Sequence, residues 1–198
     1  MAALKYVVLL ALSWMSSWTT ALSATTTRNT QLKREILELS RETANGLRAE
    51  PWRVSAIAEK ASLLSSPVPS MATSELVSGR WRLAFTTTTG PSAGKLGPFV
   101  GDVYQAIDAR SASYVNELKF PFFDAKLTAR FQIRGENEWQ VIFDTLTFFL
   151  FSTIPVATKQ VDGRGVWRMT YVDDDFRVLF AKGDTRTEEN IYILEKVD

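Results

Sequence analysis

Apolar and polar residues alternate along most of the chain beyond residue 76. In Gly79-Arg80-Trp81-Arg82-Leu83-Ala84-Phe85 the side chains of Trp81, Leu83 and Phe85 fall on one face of an extended chain. Arg80, Arg82 and Ala84 fall on the other. Period-two alternation of this kind marks a half-buried β-strand. Gly79 leaves the backbone free to turn sharply just before the first large side chain. The pattern returns at Val103, Gln105 and Ile107, then at Tyr114, Asn116, Leu118 and Phe120. It is clearest at Leu127, Ala129, Phe131 and Ile133, and resumes at Trp139, Val141 and Phe143 after the Gly135-Glu136-Asn137 turn. Trp167, Met169 and Tyr171, then Phe176, Val178 and Phe180, and finally residues 190–197 complete the series. About eight strands at roughly ten-residue spacing predict an antiparallel meander closed into a barrel. Eight strands enclose room for one small ligand.

The spacing changes upstream. Leu32, Ile36, Leu39 and Leu47 recur at helical intervals, with Asn45-Gly46 as the expected stop. A second helix is expected from Pro51, where the missing N–H costs nothing, with Val54, Ile57, Ala58, Ala61 and Leu64 on one stripe. The run from Ser65 to Ser70 ends it as a linker. Two amphipathic helices over 32–64 should therefore pack on a mainly β barrel over 76–198.

Residues 1–24 carry the three parts of a signal peptide. Lys5 supplies the positive start, Tyr6 to Leu12 with Trp14-Met15 the short apolar run, and Ala21-Leu22-Ser23 a small-residue cleavage site. The run is too short and too interrupted to span a bilayer well. Residues 25–31, hydroxylated and basic, suit either a plastid transit extension or a plain linker. A signal peptide followed by a transit extension would address a plastid wrapped in extra membranes; the signal alone would address the secretory pathway.

Composition removes several chemistries. The chain has no Cys and no His, which excludes disulfides, thiolate nucleophiles, Cys/His zinc sites and His-based triads. A net charge of +1 without a clustered basic face argues against nucleic-acid binding. Asp173-Asp174-Asp175 could suggest a metal or acid/base cluster, but successive carboxylates point alternately, so a solvated strand-to-strand tip is expected. Thr86 to Thr89 with Gly90 lacks the Gly-Lys sequel of a phosphate loop and is read as a hydroxyl-rich loop. Phe120-Pro121-Phe122-Phe123 and residues 146–151 break the alternation and put apolar groups on both faces. They fit either strand ends buried under the N-terminal helices or an apolar lip at the barrel mouth that docks on a lipid monolayer.

With the strands in order, the chain from Gln31 to Asp198 resembles the plastid lipid-associated protein family, PAP/fibrillin. The residues carrying the likeness are Leu76 to Thr87, Gly101-Asp102-Val103-Tyr104-Gln105-Ala106-Ile107 and Val115-Asn116. The ending Thr170-Tyr171-Val172-Asp173-Asp174-Asp175-Phe176-Arg177-Val178, with Lys182-Gly183-Asp184, is the most specific. The resemblance implies a lipocalin-like barrel and a non-catalytic protein, without a cofactor, that binds lipophilic molecules at plastoglobules or thylakoids. Prenyl quinones, carotenoids, tocopherols and acyl lipids are the implied ligands; a coat protein without a specific ligand is the alternative. A lipocalin-like isomerase or cyclase would need a buried Asp or Glu in the cavity. Under the carrier reading, Trp81, Phe85, Phe131, Phe143, Trp167 and Tyr171 line a cavity. Arg177, Gln105, Asn116 and Tyr192 then supply its polar contacts, Arg177 either holding a head group or bracing Trp81.

Overall fold

The computed structural model describes residues 24–197. The signal-peptide reading therefore lies outside the described residues save for Ala24. The first described element is helix α1 across 24–40, which takes in the stretch expected as a transit extension or linker. Asn29, inside that stretch, is buried; its Nδ2 donates to the Ser65 carbonyl at 2.8 Å. Helix α2 spans Pro51–Ser62 and opens on the expected proline.

Eight antiparallel strands close a barrel. They are β1 (Gly79–Thr86), β4 (Asp102–Asp108), β5 (Ser113–Lys119), β6 (Phe123–Ile133), β7 (Glu138–Leu150), β8 (Ile154–Val172), β9 (Phe176–Gly183) and β10 (Asn190–Val197). Each barrel strand pairs with the next along the chain, β1 with β4 included, and the pairing of β1 with β10 closes the ring. The loop after β1 carries a 3-10 turn, Pro91–Ala93, and a small hairpin of β2 (Lys95–Leu96) and β3 (Phe99–Val100).

Two cores divide the apolar residues. The inner one fills the barrel around Trp81, Tyr114, Phe131, Trp139, Trp167 and Met169. The outer one lies between the helices and the wall made by β1, β8, β9 and β10, and joins Leu32, Ile36, Ile57, Ala61 and Leu64 to Phe85, Tyr171, Phe176, Val178, Ile191 and Ile193. Phe85 and Tyr171 thus do not line a cavity. Strict alternation would place Phe85 inside with Trp81 and Leu83, and Tyr171 inside with Trp167 and Met169. In each strand the register shifts first, between Leu83 and Phe85 and between Met169 and Tyr171. The extra residue of a bulge reverses the face of everything after it. Both bulges hand an aromatic ring to the helix layer.

The helical periodicity overran at Leu47. Helix α1 stops near residue 40, where the Ser40 hydroxyl donates back to the Ile36 carbonyl at 2.7 Å, and residues 41–47 form successive turns. Asn45-Gly46 is where these turns touch the barrel. The Thr86 amide donates to the Asn45 carbonyl at 3.0 Å, and Gly46 has φ +99° directly against the Thr86 carbonyl.

The Asp173–Asp175 tip does join β8 to β9, and it also locks α1. Lys33 donates to Asp173 at 2.8 Å and pairs with Asp175. Asp173 accepts from the Tyr171 hydroxyl, and its Oδ1 accepts the Phe176 amide at 2.9 Å. Burial alone would raise the Asp173 carboxyl, but the Lys33 and Tyr171 hydrogen bonds outweigh it and hold it below the usual carboxylate value. Burial likewise would lower Lys33, yet both aspartates hold it above its ordinary 10.5. Linkage fixes the signs. The depressed Asp173 stabilises above its unfolded value and loses that contribution as pH falls below about 4. The raised Lys33 stabilises below about 10.5 and loses it above. Lys33→Met should cost roughly 1–2 kcal/mol near neutrality by leaving Asp173 short of its cation. In urea melts followed over pH, that difference should shrink below about pH 4; a constant difference would show that the ion pair does not hold the helix.

Candidate functional site

The barrel has one sealed and one open end. At the sealed end, residues 66–78 cross the strand termini. Met71, Ala72 and Val77 are buried, the Trp139 indole N–H donates to the Ala72 carbonyl at 2.9 Å, and the Trp81 indole to the Val77 carbonyl at 2.9 Å. Phe131 lies face to face on Trp139 with ring centroids 3.7 Å apart. These three aromatics are a floor. Trp81 and Phe131 were expected in the cavity wall; they are inside the barrel but below the cavity.

Above the floor is a cavity of about 190 Å³. Five of the expected residues border it: Gln105, Asn116, Phe143, Trp167 and Tyr192. Leu83, Leu118, Leu127, Leu146 and Leu179 supply much of the remaining wall, and exposed Pro91 and Ser92 carry it to the surface. Leu83, Leu118, Leu127 and Leu179 follow from the alternation once a strand's inward face is known, whereas Leu146 shares the inward face of Val141 and Phe143 only because the register shifts between Phe143 and Thr145. Pro91 and Ser92 belong to a loop and have no periodicity to reveal them. Glu117 also borders the cavity, but its carboxylate is held by Arg80 at 2.9 Å and Lys126 at 3.5 Å. A second depression, between residues 44–48, 100–102 and 119–121, is a polar open groove on the outside.

The polar groups cluster where the cavity meets the floor. Arg177 comes from β9, opposite in face to Phe176 and Val178, and is fully buried. Its guanidinium carbon sits 4.9 Å from the centre of the Trp81 ring, and Nη2 donates to Gln105 Oε1. Bracing of Trp81 is thus realised. Burial pulls Arg177 down to about 9, so it stays a cation at neutral pH. Burial raises the Tyr114 hydroxyl well above its ordinary value, with the neighbouring Tyr192 adding to it. Tyr192 is raised too, mainly by burial. Neither phenol ionises near neutral pH.

The open end is apolar. Phe122, in the β5–β6 turn, is 67% exposed and Phe151, in the β7–β8 turn, 61%. The Phe151 amide donates to the Phe122 carbonyl at 2.9 Å, which ties the two turns together. Phe99, Ile154 and Val156 are exposed at the same end. None of these residues lies in the core under the helices, so the reading of the Phe-rich segments as strand ends covered by helices does not hold. Phe120 and Phe123 instead stack on each other, with centroids 4.3 Å apart.

An antiparallel eight-stranded barrel with a plugged floor, an apolar cavity and two helices on its flank defines a small cavity-bearing β-barrel protein. The PAP_fibrillin family model matches residues 30–194, and the chain belongs to that family. It is also similar to an Arabidopsis thaliana protein described as "Probable plastid-lipid-associated protein 5, chloroplastic". The two are 25% identical over 177 residues, which cover 85% of this chain and 70% of that protein.

Proposed function

We propose that this protein is a non-catalytic plastid lipid-associated protein that takes up part of a lipophilic molecule at a lipid surface. One observation carries the reading: the apolar cavity opens at the same end of the barrel as the exposed Phe122 and Phe151. The family and the printed name of the Arabidopsis thaliana relative support the lipid association and the plastid setting. Prenyl quinones, carotenoids, tocopherols and acyl lipids are the candidate ligands, and plastoglobules or thylakoids the candidate surfaces.

The size of the cavity limits what enters. A protein cavity of about 150 Å³ holds one benzene ring. About 190 Å³ therefore accepts one ring or the end of a chain, not a whole carotenoid. A tail that moves from a lipid layer into this cavity gains little hydrophobic energy, because ~0.8 kcal/mol per CH₂ is realised only relative to water. Selectivity must come from shape and the polar groups at the floor.

The test is organic extraction and mass spectrometry of the protein after incubation with a plastid lipid extract and gel filtration. A chemically narrow ligand near one per chain is the expected result. Protein that emerges lipid-free but still floats with lipid droplets would instead favour the coat reading, which the exposed phenylalanines support by themselves. Phe122→Ser combined with Phe151→Ser should weaken flotation with galactolipid vesicles about tenfold or more, each ring being worth roughly 1–2 kcal/mol of apolar contact. The melting temperature should not move, since both rings are exposed. Unchanged flotation would remove the lip from the account.

A further inference from the structure

The barrel interior holds a cation without a counter-charge. Arg177 is fully buried and takes part in none of the ion pairs among the described residues. One guanidinium nitrogen donates to Gln105, while Nε and Nη1 have no hydrogen-bond partner. Among the described residues, four of the five buried side-chain polar atoms left unpaired belong to one cluster: these two nitrogens, the Tyr114 hydroxyl and Asn116 Oδ1. An aromatic face and one neutral amide do not balance a full charge out of water. Buried charges are ordinarily paired.

Gln105 links this cluster to the cavity. It lines the cavity, and its oxygen is committed to Arg177, so its NH₂ is the group left to present there. The adjacent cation polarises that amide and strengthens it as a donor. Asn116 lines the cavity as well, and its amide can turn either end toward a ligand. The cavity floor is thus a donor site of net positive charge under apolar walls.

We propose that the cavity takes a ligand with an ionised carboxylate on an apolar chain, head down, with Arg177 as its counter-charge and Gln105 as the donor between them. This rests on the carrier reading above and narrows it to a ligand class. A hydroxyl or carbonyl head would satisfy the Gln105 amide but leave the guanidinium charge unbalanced. The carboxylate and the first few carbons fill the cavity, and the remaining chain leaves past Pro91 and Ser92 toward the apolar lip.

The experiment is titration of the purified full chain with palmitate, hexadecanol and methyl palmitate at pH 7.5, below their aggregation limits. A change in tryptophan fluorescence reports binding, because Trp167 lines the cavity. Palmitate should bind at least tenfold more tightly than either uncharged probe. Arg177→Met should abolish that preference, leaving palmitate and hexadecanol within threefold of each other. Equal affinities for the three probes in the unaltered protein would overturn the carboxylate proposal and leave the carrier reading standing. Binding of none of them would also overturn the carboxylate proposal, while the carrier reading stands or falls separately on the plastid-extract experiment above. A palmitate preference that survives in Arg177→Met would also overturn the proposal. The comparison of palmitate with its methyl ester needs no variant, so it decides the matter even if Arg177→Met does not fold.

Discussion

Trp139→Ala should lower the free energy of unfolding by about 4 kcal/mol, within the range for deleting a buried aromatic ring. Trp139 is fully buried and stacks on Phe131, and its ring centroid lies 6.2 Å from that of Trp167. Its loss opens a void that eight hydrogen-bonded strands cannot close by small movements, so the cavity penalty is near its maximum. The Ala72 carbonyl also loses its donor at a buried position, a further roughly 1–3 kcal/mol included in that upper range. Trp139→Phe keeps a ring on Phe131 and should cost less than half as much. Urea denaturation followed by circular dichroism measures both. A loss below about 2 kcal/mol for Trp139→Ala would show that residues 66–78 seal the barrel without this indole.

Gly46→Ala should cost about 3 kcal/mol or more, although it adds a single methyl group in a surface turn. The added Cβ would lie 2.0 Å from the Thr86 carbonyl oxygen, a backbone atom fixed in β1, and the φ of +99° is itself poor for alanine. The turn must therefore lift off the strand and break the Thr86 amide bond to Asn45. Asn45 Nδ2 also donates to the Ala93 and Gly101 carbonyls, both at 3.1 Å, so the loop that borders the cavity mouth loosens with it. Faster hydrogen exchange across residues 87–101 would be the local signature. Gly97 is the control. It has φ +59°, in the left-handed range, and nothing within 4 Å of an added Cβ, so Gly97→Ala should cost only about 1 kcal/mol of conformational strain. Equal losses at the two positions would show that strain, not contact, governs Gly46.

The barrel was legible because eight alternating runs read as strands whichever face turns inward, and the turn residues between them carry their own chemistry. The bulges were not legible. Nothing in Leu83-Ala84-Phe85 or Met169-Thr170-Tyr171 departs from alternation, since the outer face of these two strands is as apolar as the inner one under the helices. Two cores with the same composition on opposite sides of one wall hide the crossover, and Phe85 and Tyr171 were misplaced for that reason. Gln105 and Asn116 alternate in the sequence with inward apolar residues, whereas Arg177 enters only through the family resemblance, because alternation alone would turn Phe176 and Val178 inward and the structure packs them under the helices instead. Tyr114 shares a face with Asn116 but looks like ordinary core, and only its unpaired hydroxyl sets it apart. Asn45 was read as a helix stop. Its grip on the mouth loop joins residues 48 and 56 positions apart, beyond the reach of any local pattern.

Strand β8 is 19 residues long, and its pairing with β9 begins only at Gly165. Residues 154–163 pair with β7 on one side and meet no described strand on the other. That side is a row of backbone donors and acceptors open to solvent, the kind of border along which folded proteins polymerise. The chain arms it against this outcome. Pro155 offers no N–H, and Lys159, Asp162 and Arg164 put charges of both signs along the same strand. Neutralising those charges would turn a solubility device into a template for β-sheet growth from one molecule to the next.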